Sequence, residues 1–302
     1  MKLLTVFTGG TISCSETDGV LSPDGQNGFY LLELARQAGV QDAFVTVQPF
    51  TVLSENMTPA HLRQLRRCIT ERLGEGWDGV IVTHGTDTLA YTAAYLDLVL
   101  GVQDTPVVLV SANYPLRDSR SNGLQNFVAA VDFLRTGERG VFVAYQNTGD
   151  SRTTIHRGRE VLPQTPYEDS VFSLFMQPFG WIEHGAWRKN PDHPNTPQDD
   201  LSACELNGRV LFLRPYVGMV YPALPDVKAV LLEGWHSGTL PTDTPELQAF
   251  CRAASEKGIA VYLTGSREGF AYESKQQFDA LGIRVMEPMS PVAAYVWLEL
   301  RV

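Results

Sequence analysis

The sequence predicts an α/β protein with a larger N-terminal domain on a parallel sheet and a smaller C-terminal parallel α/β domain. Short apolar runs with the length and β-branching of buried parallel strands alternate with helical patterns along the chain. A polar, proline-rich stretch at 189–207 interrupts this alternation. We therefore expect a domain at 1–188, a linker at 189–207 and a domain at 208–302.

Composition limits the classes of partner. The chain has 302 residues, 44% of them hydrophobic, and a net charge of −10. This charge disfavours nucleic acid and anionic membranes as partners. No apolar run approaches the roughly 18 residues of a membrane span, and the first run breaks at Thr8–Gly10, too early for a signal peptide. The four cysteines show no metal-ligand spacing. We expect a cytoplasmic protein without nucleic-acid or membrane partners.

The first strand is expected at Leu3–Phe7, because this apolar run ends in the turn Thr8-Gly9-Gly10-Thr11. Two glycines let the backbone approach another chain segment or a ligand closely. The hydroxyl of Thr11 then stands at the exit of the strand, where it can act as a nucleophile. Taken alone, such a glycine turn is more often just a turn. The polar residues 13–28 that follow are interpreted as a loop, a candidate lid over Thr11.

The next elements follow the same logic. Residues 29–38 predict a short helix that Gly39 ends, and 43–52 predict a strand region. Thr58 and Pro59 have the residue types of an N-cap and a first helical position, so a helix is expected at 60–73.

The stretch 79–88 is the centre of the prediction. Gly79–Val82 has the pattern of a buried strand, and the turn His84-Gly85-Thr86-Asp87-Thr88 follows it directly. Apolar residues at helical spacing come next, and open α/β sheets place their sites at such strand exits. Hydroxyls, a carboxylate and backbone N–H groups suit a small substrate with anionic and cationic groups. Helix capping would explain only one of these residues. His84 is interpreted as a structural hydrogen-bonding residue beneath the turn.

The remaining apolar runs continue the pattern. Strands are expected at 106–110 and 140–145, with a helix ending near Leu134 between them. Asn122 and Asn126 are interpreted as shaping the turn before that helix. Beyond the linker, we expect strands at 210–212, 229–232 and 259–263, and helices at 245–257 and around 278–281.

The two glycine turns, Thr8-Gly9-Gly10-Thr11 and His84-Gly85-Thr86-Asp87-Thr88, together resemble the bacterial-type L-asparaginase/glutaminase family. Both motifs occur in that family in this order and at similar separation. The resemblance covers nearly the whole chain and is strongest to the cytoplasmic type I members. It implies an asparaginase-like fold with a flavodoxin-like larger domain, and a homodimer or homotetramer whose site is shared between neighbouring subunits.

The resemblance also implies an activity. A threonine-dependent amidohydrolase would cleave the side-chain amide of L-asparagine, or of a related small amide, to the acid and ammonia. Thr11 would attack the amide carbon, Thr86 would support a second hydroxyl step, and Asp87 would assist proton transfer and bind the substrate ammonium. Gly10, Gly85 and the loop of Ser54 and Glu55 would complete the substrate site, the loop holding the α-carboxylate. No metal or cofactor is implied.

Three positions depart from the family pattern. Val20 stands where the lid has a tyrosine, Ile155 where a lysine completes the catalytic group, and Glu55 where an uncharged polar residue is expected. We expect Ile155 to lie near Asp87, with His156 or Arg157 as substitutes for the lysine if the register shifts. These losses keep two alternatives open: a non-catalytic protein that binds an amino acid or related ligand, and an amidase with another substrate. The retained Thr11, Thr86 and Asp87 favour an enzyme.

Overall fold

The computed structural model describes residues 1–17, 20–23, 27–194, 199–266 and 272–302, and it leaves aside the side chains of 15–27. The chain forms two compact units, Met1–Ala203 and Cys204–Val302. Residues 189–203, which the sequence placed in a linker, belong to the first unit in this division. The bounds 1–188 and 208–302 therefore stay a prediction. Among the described residues, no helix is long and apolar enough to cross a membrane.

The first unit contains ten strands and four α-helices within its described residues. The strands are β1 (Lys2–Phe7), β2 (Cys14–Thr17), β3 (Val20–Pro23), β4 (Ala43–Val47), β5 (Gly79–Thr83), β6 (Val107–Val110), β7 (Val141–Tyr145), β8 (Thr153–Arg157), β9 (Gly180–Glu183) and β10 (Ala186–Lys189). The helices are α1 (Asn27–Gln37), α2 (Pro59–Thr70), α3 (Leu89–Leu100) and α4 (Gly123–Leu134). Strands β2 and β3 pair with each other, and the other eight form one sheet.

The large sheet has the strand order β10-β9-β8-β7-β6-β5-β1-β4. Strands β4, β1, β5, β6 and β7 are parallel, which confirms the predicted parallel core. Strands β8, β9 and β10 extend it antiparallel, which the sequence did not predict. Their residues are mixed in polarity, so these strands lack the continuous apolar signature of the central strands.

Successive residues of each strand point to opposite faces of the sheet. On one face, residues such as Leu3, Ile81 and Val108 pack against Phe127 and Leu31 of α4 and α1 in the main hydrophobic core. Helix α3 packs against β7 and α2, and all of its residues except Tyr91 are buried. The exits of the parallel strands therefore open at one edge of a well-packed sheet.

The second unit is a smaller parallel α/β domain, as predicted. Its strands β11 (Val210–Leu213), β12 (Ala229–Glu233), β13 (Ala260–Thr264) and β14 (Ile283–Val285) are parallel and paired in this order. Its helices are α5 (Pro245–Glu256), α6 (Glu273–Gln276) and α7 (Pro291–Arg301). The buried carboxylate of Glu299 accepts hydrogen bonds from the backbone N–H groups of Gly208, Arg209 and Val210, which ties α7 to the start of β11.

Candidate active site

Two glycines bring the exits of β1 and β5 into contact. Gly10 has a φ of +75°, and a Cβ placed on it would lie 2.2 Å from the amide nitrogen of Gly85. A Cβ on Gly85 would in turn lie 2.5 Å from the Oγ of Ser54. Only glycine fits at either position, because a Cβ on Gly10 would clash with the backbone of Gly85 and a Cβ on Gly85 would clash with the buried side chain of Ser54. The loops after β1 and β5 and the segment around Ser54 are therefore packed directly against one another.

Backbone and hydroxyl contacts fix these loops. The amide of Val52 donates to the carbonyl oxygen of Thr8 at 3.0 Å, and the amide of Gly10 donates to the carbonyl oxygen of Val52 at 3.1 Å. The buried hydroxyl of Thr8 donates to the carbonyl oxygen of Thr83 at 2.7 Å. The turn after β1 is thus hydrogen-bonded both to the segment at Val52 and to the end of β5 at Thr83. Thr8 connects the two strand exits, a role that the sequence did not predict for it. Its position directly after β1 could have indicated this role.

Ser54 connects its own loop to Asp87. It lies in a 3-10 turn, Ser54–Asn56, and is 3% exposed. Its Oγ donates to Oδ2 of Asp87 at 3.0 Å and accepts from the amide of Asp87 at 3.2 Å. The hydroxyl of Thr88 donates to the carbonyl oxygen of Ser54 at 2.9 Å. The carboxylate of Asp87 is therefore held by a buried hydroxyl while its side chain remains exposed to solvent.

The turn after β5 does more than cap a helix. Thr88 is the N-cap residue of α3, yet its side chain makes no capping hydrogen bond. The hydroxyl bonds Ser54 instead. By contrast, the side chain of Thr58 accepts from the amide of His61 and begins α2, with Pro59 as its first residue, as predicted. The capping explanation of the 84–88 motif is therefore not supported.

His84 has the structural role that the sequence predicted. It is 1% exposed, its Nδ1 lies 2.7 Å from the carbonyl oxygen of Gly85, and its Nε2 lies 2.8 Å from the hydroxyl of Thr92 on α3. Burial lowers the pKa of His84 to about 4, against smaller opposing effects of the Gly85 carbonyl and of Asp87. The ring is neutral at neutral pH, so Nδ1–H donates to Gly85 and Nε2 accepts from Thr92.

The two candidate hydroxyls follow the glycine contact directly. Thr11 begins a 3-10 turn, Thr11–Ser13, and Thr86 follows Gly85; both side chains are half-buried. Cys14 closes the first turn, with its thiol donating to the carbonyl oxygen of Gly10 at 3.2 Å. Glu55 is exposed beside Ser54. The structure brings Gly10, Ser54, Gly85 and Asp87 together. Thr11 and Thr86 are the residues that follow Gly10 and Gly85 in the chain. Their joint role as a site stays a prediction.

Two asparagines hold the neighbouring strand exits. The side-chain amide of Asn122 donates to the carbonyl oxygen of Gln146 at 2.8 Å and its Oδ1 accepts from the amide of Asn113. The amide of Asn126 donates to the carbonyl oxygen of Ser111 at 2.8 Å and its Oδ1 accepts from the amide of Gln146 at 2.7 Å. They join the exits of β6 and β7, Asn122 from the N-cap position of α4 and Asn126 from within that helix.

The expected position of Ile155 near Asp87 is wrong. Ile155 is fully buried in the main core, and β8 is separated from β5 by β6 and β7. At about 4.8 Å per strand, this is roughly 14 Å across the sheet. The register of the antiparallel strand β8, which pairs Ile155 with Ala144, points the side chain into this core. Motif spacing could not reveal that register.

The two suggested substitutes for the lysine are also engaged elsewhere. Nδ1 of His156 lies 2.8 Å from the hydroxyl of Ser173, and burial lowers the pKa of His156 to about 3. The guanidinium of Arg157 donates to the carbonyl oxygen of Arg139 and lies near Asp97. The side chain of Val20, at the expected tyrosine position, lies outside the described residues. Across the part of the chain that the structure describes, no group of three His, Cys, Asp or Glu side chains could hold a metal.

Comparison with known proteins agrees with this architecture. The profile of the family described as "Asparaginase, N-terminal" matches residues 2–192. The chain belongs to the asparaginase family. It is 30% identical over 324 residues to a glutamyl-tRNA(Gln) amidotransferase subunit of Pyrococcus abyssi, covering 98% of this chain and 71% of that relative.

Solved structures show the same fold. The thermostable L-asparaginase from Thermococcus kodakarensis superposes with a TM-score of 0.77 at 23% identity, covering 100% of this chain and 94% of that one. The probable cytoplasmic L-asparaginase from Campylobacter jejuni has a TM-score of 0.75 at 23% identity, covering 99% of this chain and 94% of that one. At 23% identity, these two likenesses show only that the chain shares their fold.

Proposed function

We propose that the protein is an amidohydrolase that releases ammonia from a small primary amide through Thr11. The observation that carries this proposal is the contact of Gly10 with Gly85, bridged by the hydrogen bond between Ser54 and Asp87. This contact places the strand exit that precedes the hydroxyl of Thr11 beside the strand exit that precedes the carboxylate of Asp87. Membership of the asparaginase family and the amide chemistry in the names of its relatives support the same reaction class.

The chemistry proceeds in two steps. The Oγ of Thr11 forms a bond to the amide carbon, its proton passes to the amide nitrogen, and the C–N bond breaks to release ammonia. Water then attacks the resulting ester, its proton returns to Oγ of Thr11, and the acid leaves. Backbone N–H groups of Thr11 and Thr86 would receive the oxyanion, each contributing about 3–4 kcal/mol. Thr86 and Asp87 would relay protons, and Asp87 would bind a substrate ammonium.

The proposed substrate is L-asparagine or a related small amide. We extend the proposal to a cytoplasmic location, which the name of one structural relative supports. We also propose the homodimer or homotetramer that the family resemblance implies. Light scattering tests the assembly: a particle of the 33.4 kDa chain alone at micromolar concentration would contradict it.

The test of activity is ammonia release from a panel of amides that includes L-asparagine and L-glutamine. The parent is compared with Thr11→Ala and with the matched control Thr70→Ala, an exposed hydroxyl on α2. Thr11→Ala should abolish turnover, and Thr70→Ala should retain it. Binding of an amide without ammonia release by the parent would favour the non-catalytic alternative.

A second candidate comes from the relative named as part of a glutamyl-tRNA(Gln) amidotransferase, which matches 98% of this chain. In this case the protein would supply ammonia as one component of a larger assembly. The net charge of −10 argues against direct contact with tRNA by this chain. Stimulation of ammonia release by added glutamyl-tRNA would support this candidate.

A further inference from the structure

A cleft lies in the second unit, at the edge of its sheet where the parallel strands begin. This edge is opposite to the strand exits of that sheet, because its four strands run in the same direction. Two adjoining hollows of about 480 and 360 Å³ form the cleft. They meet at Gly258 and Ile259, which precede β13 and line both hollows. We call the two hollows together the basic cleft.

Four cationic side chains line the basic cleft, two in each hollow. Arg252 of α5 and Arg284 of β14 line the larger hollow. Lys228, which directly precedes β12, and Lys257, the C-cap residue of α5, line the smaller one. All four residues are exposed. Three separate parts of the chain therefore present guanidinium and ammonium groups to one cleft.

The protein's own carboxylates do not neutralise these cations. Within the residues that the structure describes, none of the four forms an ion pair within 4.0 Å. Nζ of Lys257 donates to the carbonyl oxygen of Leu224 at 3.1 Å, and Nη1 of Arg284 lies 3.4 Å from the hydroxyl oxygen of Tyr262. Both of these partners are uncharged. In the same unit Arg214, by contrast, pairs with a glutamate.

The charge of the basic cleft is opposite in sign to that of the chain. Asp279 lines the larger hollow and Asp226 the smaller one, so the lining residues carry four positive and two negative charges, a net of +2. The whole chain carries −10. Cations that lie close together repel one another, so an anion bound among them is stabilising. A phosphate monoester carries about −1.5 to −2 near neutral pH, which matches the net charge of the cleft.

The side chains of the basic cleft suit a phosphate group. A guanidinium can donate two parallel hydrogen bonds to phosphate oxygens, and a lysine ammonium adds a point charge. The buried residues Cys251, Ile259 and Val261 line the larger hollow and offer apolar contact to an organic group attached to the phosphate. The size of this hollow falls within the range of about 300–1,000 Å³ that is usual for small-molecule sites.

We propose that the basic cleft binds a small anion that carries a phosphate group. The inference does not depend on the proposed amidohydrolase function, because none of the lining residues belongs to the candidate active site. A phosphate held by Arg252 and Arg284 would bridge α5 and β14. Because such a ligand binds only the folded chain, it should also raise the stability of the protein.

The test compares ligands and variants by calorimetry on the full chain. Glycerol 3-phosphate is the phosphate ester, glycerol is its uncharged match, and succinate carries a similar charge without a phosphate group. Arg252→Gln and Arg284→Gln each remove one cation at an exposed position, whereas Asp279→Asn removes a negative charge and raises the net charge of the cleft. Arg36→Gln, at an exposed arginine on α1 in the first unit, is the matched control.

We expect glycerol 3-phosphate to bind about tenfold more tightly than succinate, and glycerol not to bind. Each cleft arginine substitution should weaken binding of glycerol 3-phosphate about tenfold, a loss typical of one charged hydrogen-bonding group. Asp279→Asn should strengthen this binding several-fold, Arg36→Gln should leave it unchanged, and added salt should weaken it. Thr11→Ala should bind the ester as the parent does.

Inorganic phosphate separates two sources of the ligand. Weaker binding of inorganic phosphate than of the ester would assign the basic cleft to an organic phosphate, and equal binding would assign it to the free ion. No saturable binding of either phosphate, succinate binding as tightly as the ester, or binding insensitive to both cleft arginines would overturn the inference. Tighter binding of a single-stranded RNA oligonucleotide than of either phosphate would also overturn it, since the cleft would then belong to a nucleic-acid surface.

Discussion

The α-carbon of Gly10 lies so close to the backbone of Gly85 that a Cβ on Gly10 would come within 2.2 Å of the Gly85 amide nitrogen and 2.3 Å of its α-carbon. The two residues are 75 positions apart in the chain. Their contact sets the separation of the strand exits that carry Thr11 and Thr86. Any side chain at Gly10 must push these exits apart.

Gly10→Ala should therefore destabilise the fold and abolish the candidate activity. The substitution adds a backbone clash to an unfavourable φ of +75°, so we expect a loss of more than about 3 kcal/mol. Gly39→Ala is the matched control, because Gly39 has a φ of +94° but nothing within 4 Å of its added Cβ. It should cost only about 1 kcal/mol and keep activity. Urea unfolding and ammonia release measure both. Equal losses in the two variants would contradict a specific role for the Gly10–Gly85 contact.

Ser54→Ala should impair turnover more than stability. It removes the hydroxyl that holds both the carboxylate and the amide of Asp87. Because the Asp87 side chain is exposed, water can replace its lost partner, and we expect a stability loss of about 1 kcal/mol. A loosened Asp87 should lower kcat/KM by about tenfold to a hundredfold. Ser255→Ala, at an exposed position on α5, is the control. Unchanged kcat/KM in Ser54→Ala would remove Ser54 from the site.

The stability of the protein should fall as the pH falls from about 6.5 to about 4. The pKa of His84 is 6.5 for an ordinary histidine, as in the unfolded chain, and about 4 in the folded protein. Between these two pH values the unfolded chain binds a proton at His84 that the folded protein does not bind. His84 therefore contributes its full stabilisation above pH 6.5 and loses about 3 kcal/mol of it on acidification. His156, with a pKa of about 3, acts in the same direction.

The measurement is urea unfolding between about pH 7.5 and pH 4.5. His84→Gln should show a shallower dependence of unfolding free energy on pH than the parent. Val99→Ala, a buried non-titrating position on α3, should lower stability but keep the parent's slope. A parent whose stability is flat across this range would contradict the buried, neutral state of His84.

Ile155→Lys should unfold the protein instead of restoring a catalytic cation. The side chain is fully buried among residues such as Phe142 and Phe179, and a lysine there would leave an unpaired charge in the core. We expect a loss of at least about 3 kcal/mol and no gain in activity. Ile155→Val should cost about 1 kcal/mol. A folded Ile155→Lys variant with faster ammonia release would contradict the core-facing position of Ile155.

Much of the fold could be predicted because its central strands are buried on both faces. The apolar runs predicted near residues 3–7, 79–82 and 140–145 match β1, β5 and β7. Helix α2 begins where Thr58 and Pro59 predicted. The antiparallel strands β8 to β10 were missed, because neither their order nor their partners follow from local patterns, and the paired strands β2 and β3 were interpreted as a loop. Helix α7 was also missed, although Ser290 and Pro291 provide a local start signal for it.

By itself, the sequence determined the α/β alternation, the two glycine turns and the residue types at their strand exits, since burial and local backbone freedom dictate these choices. Only the tertiary structure decided that Gly10 meets Gly85, that Ser54 holds Asp87, and that Ile155 belongs to the core. These relationships depend on strand order and register. Both are set by packing between segments far apart in the chain, which no local pattern records.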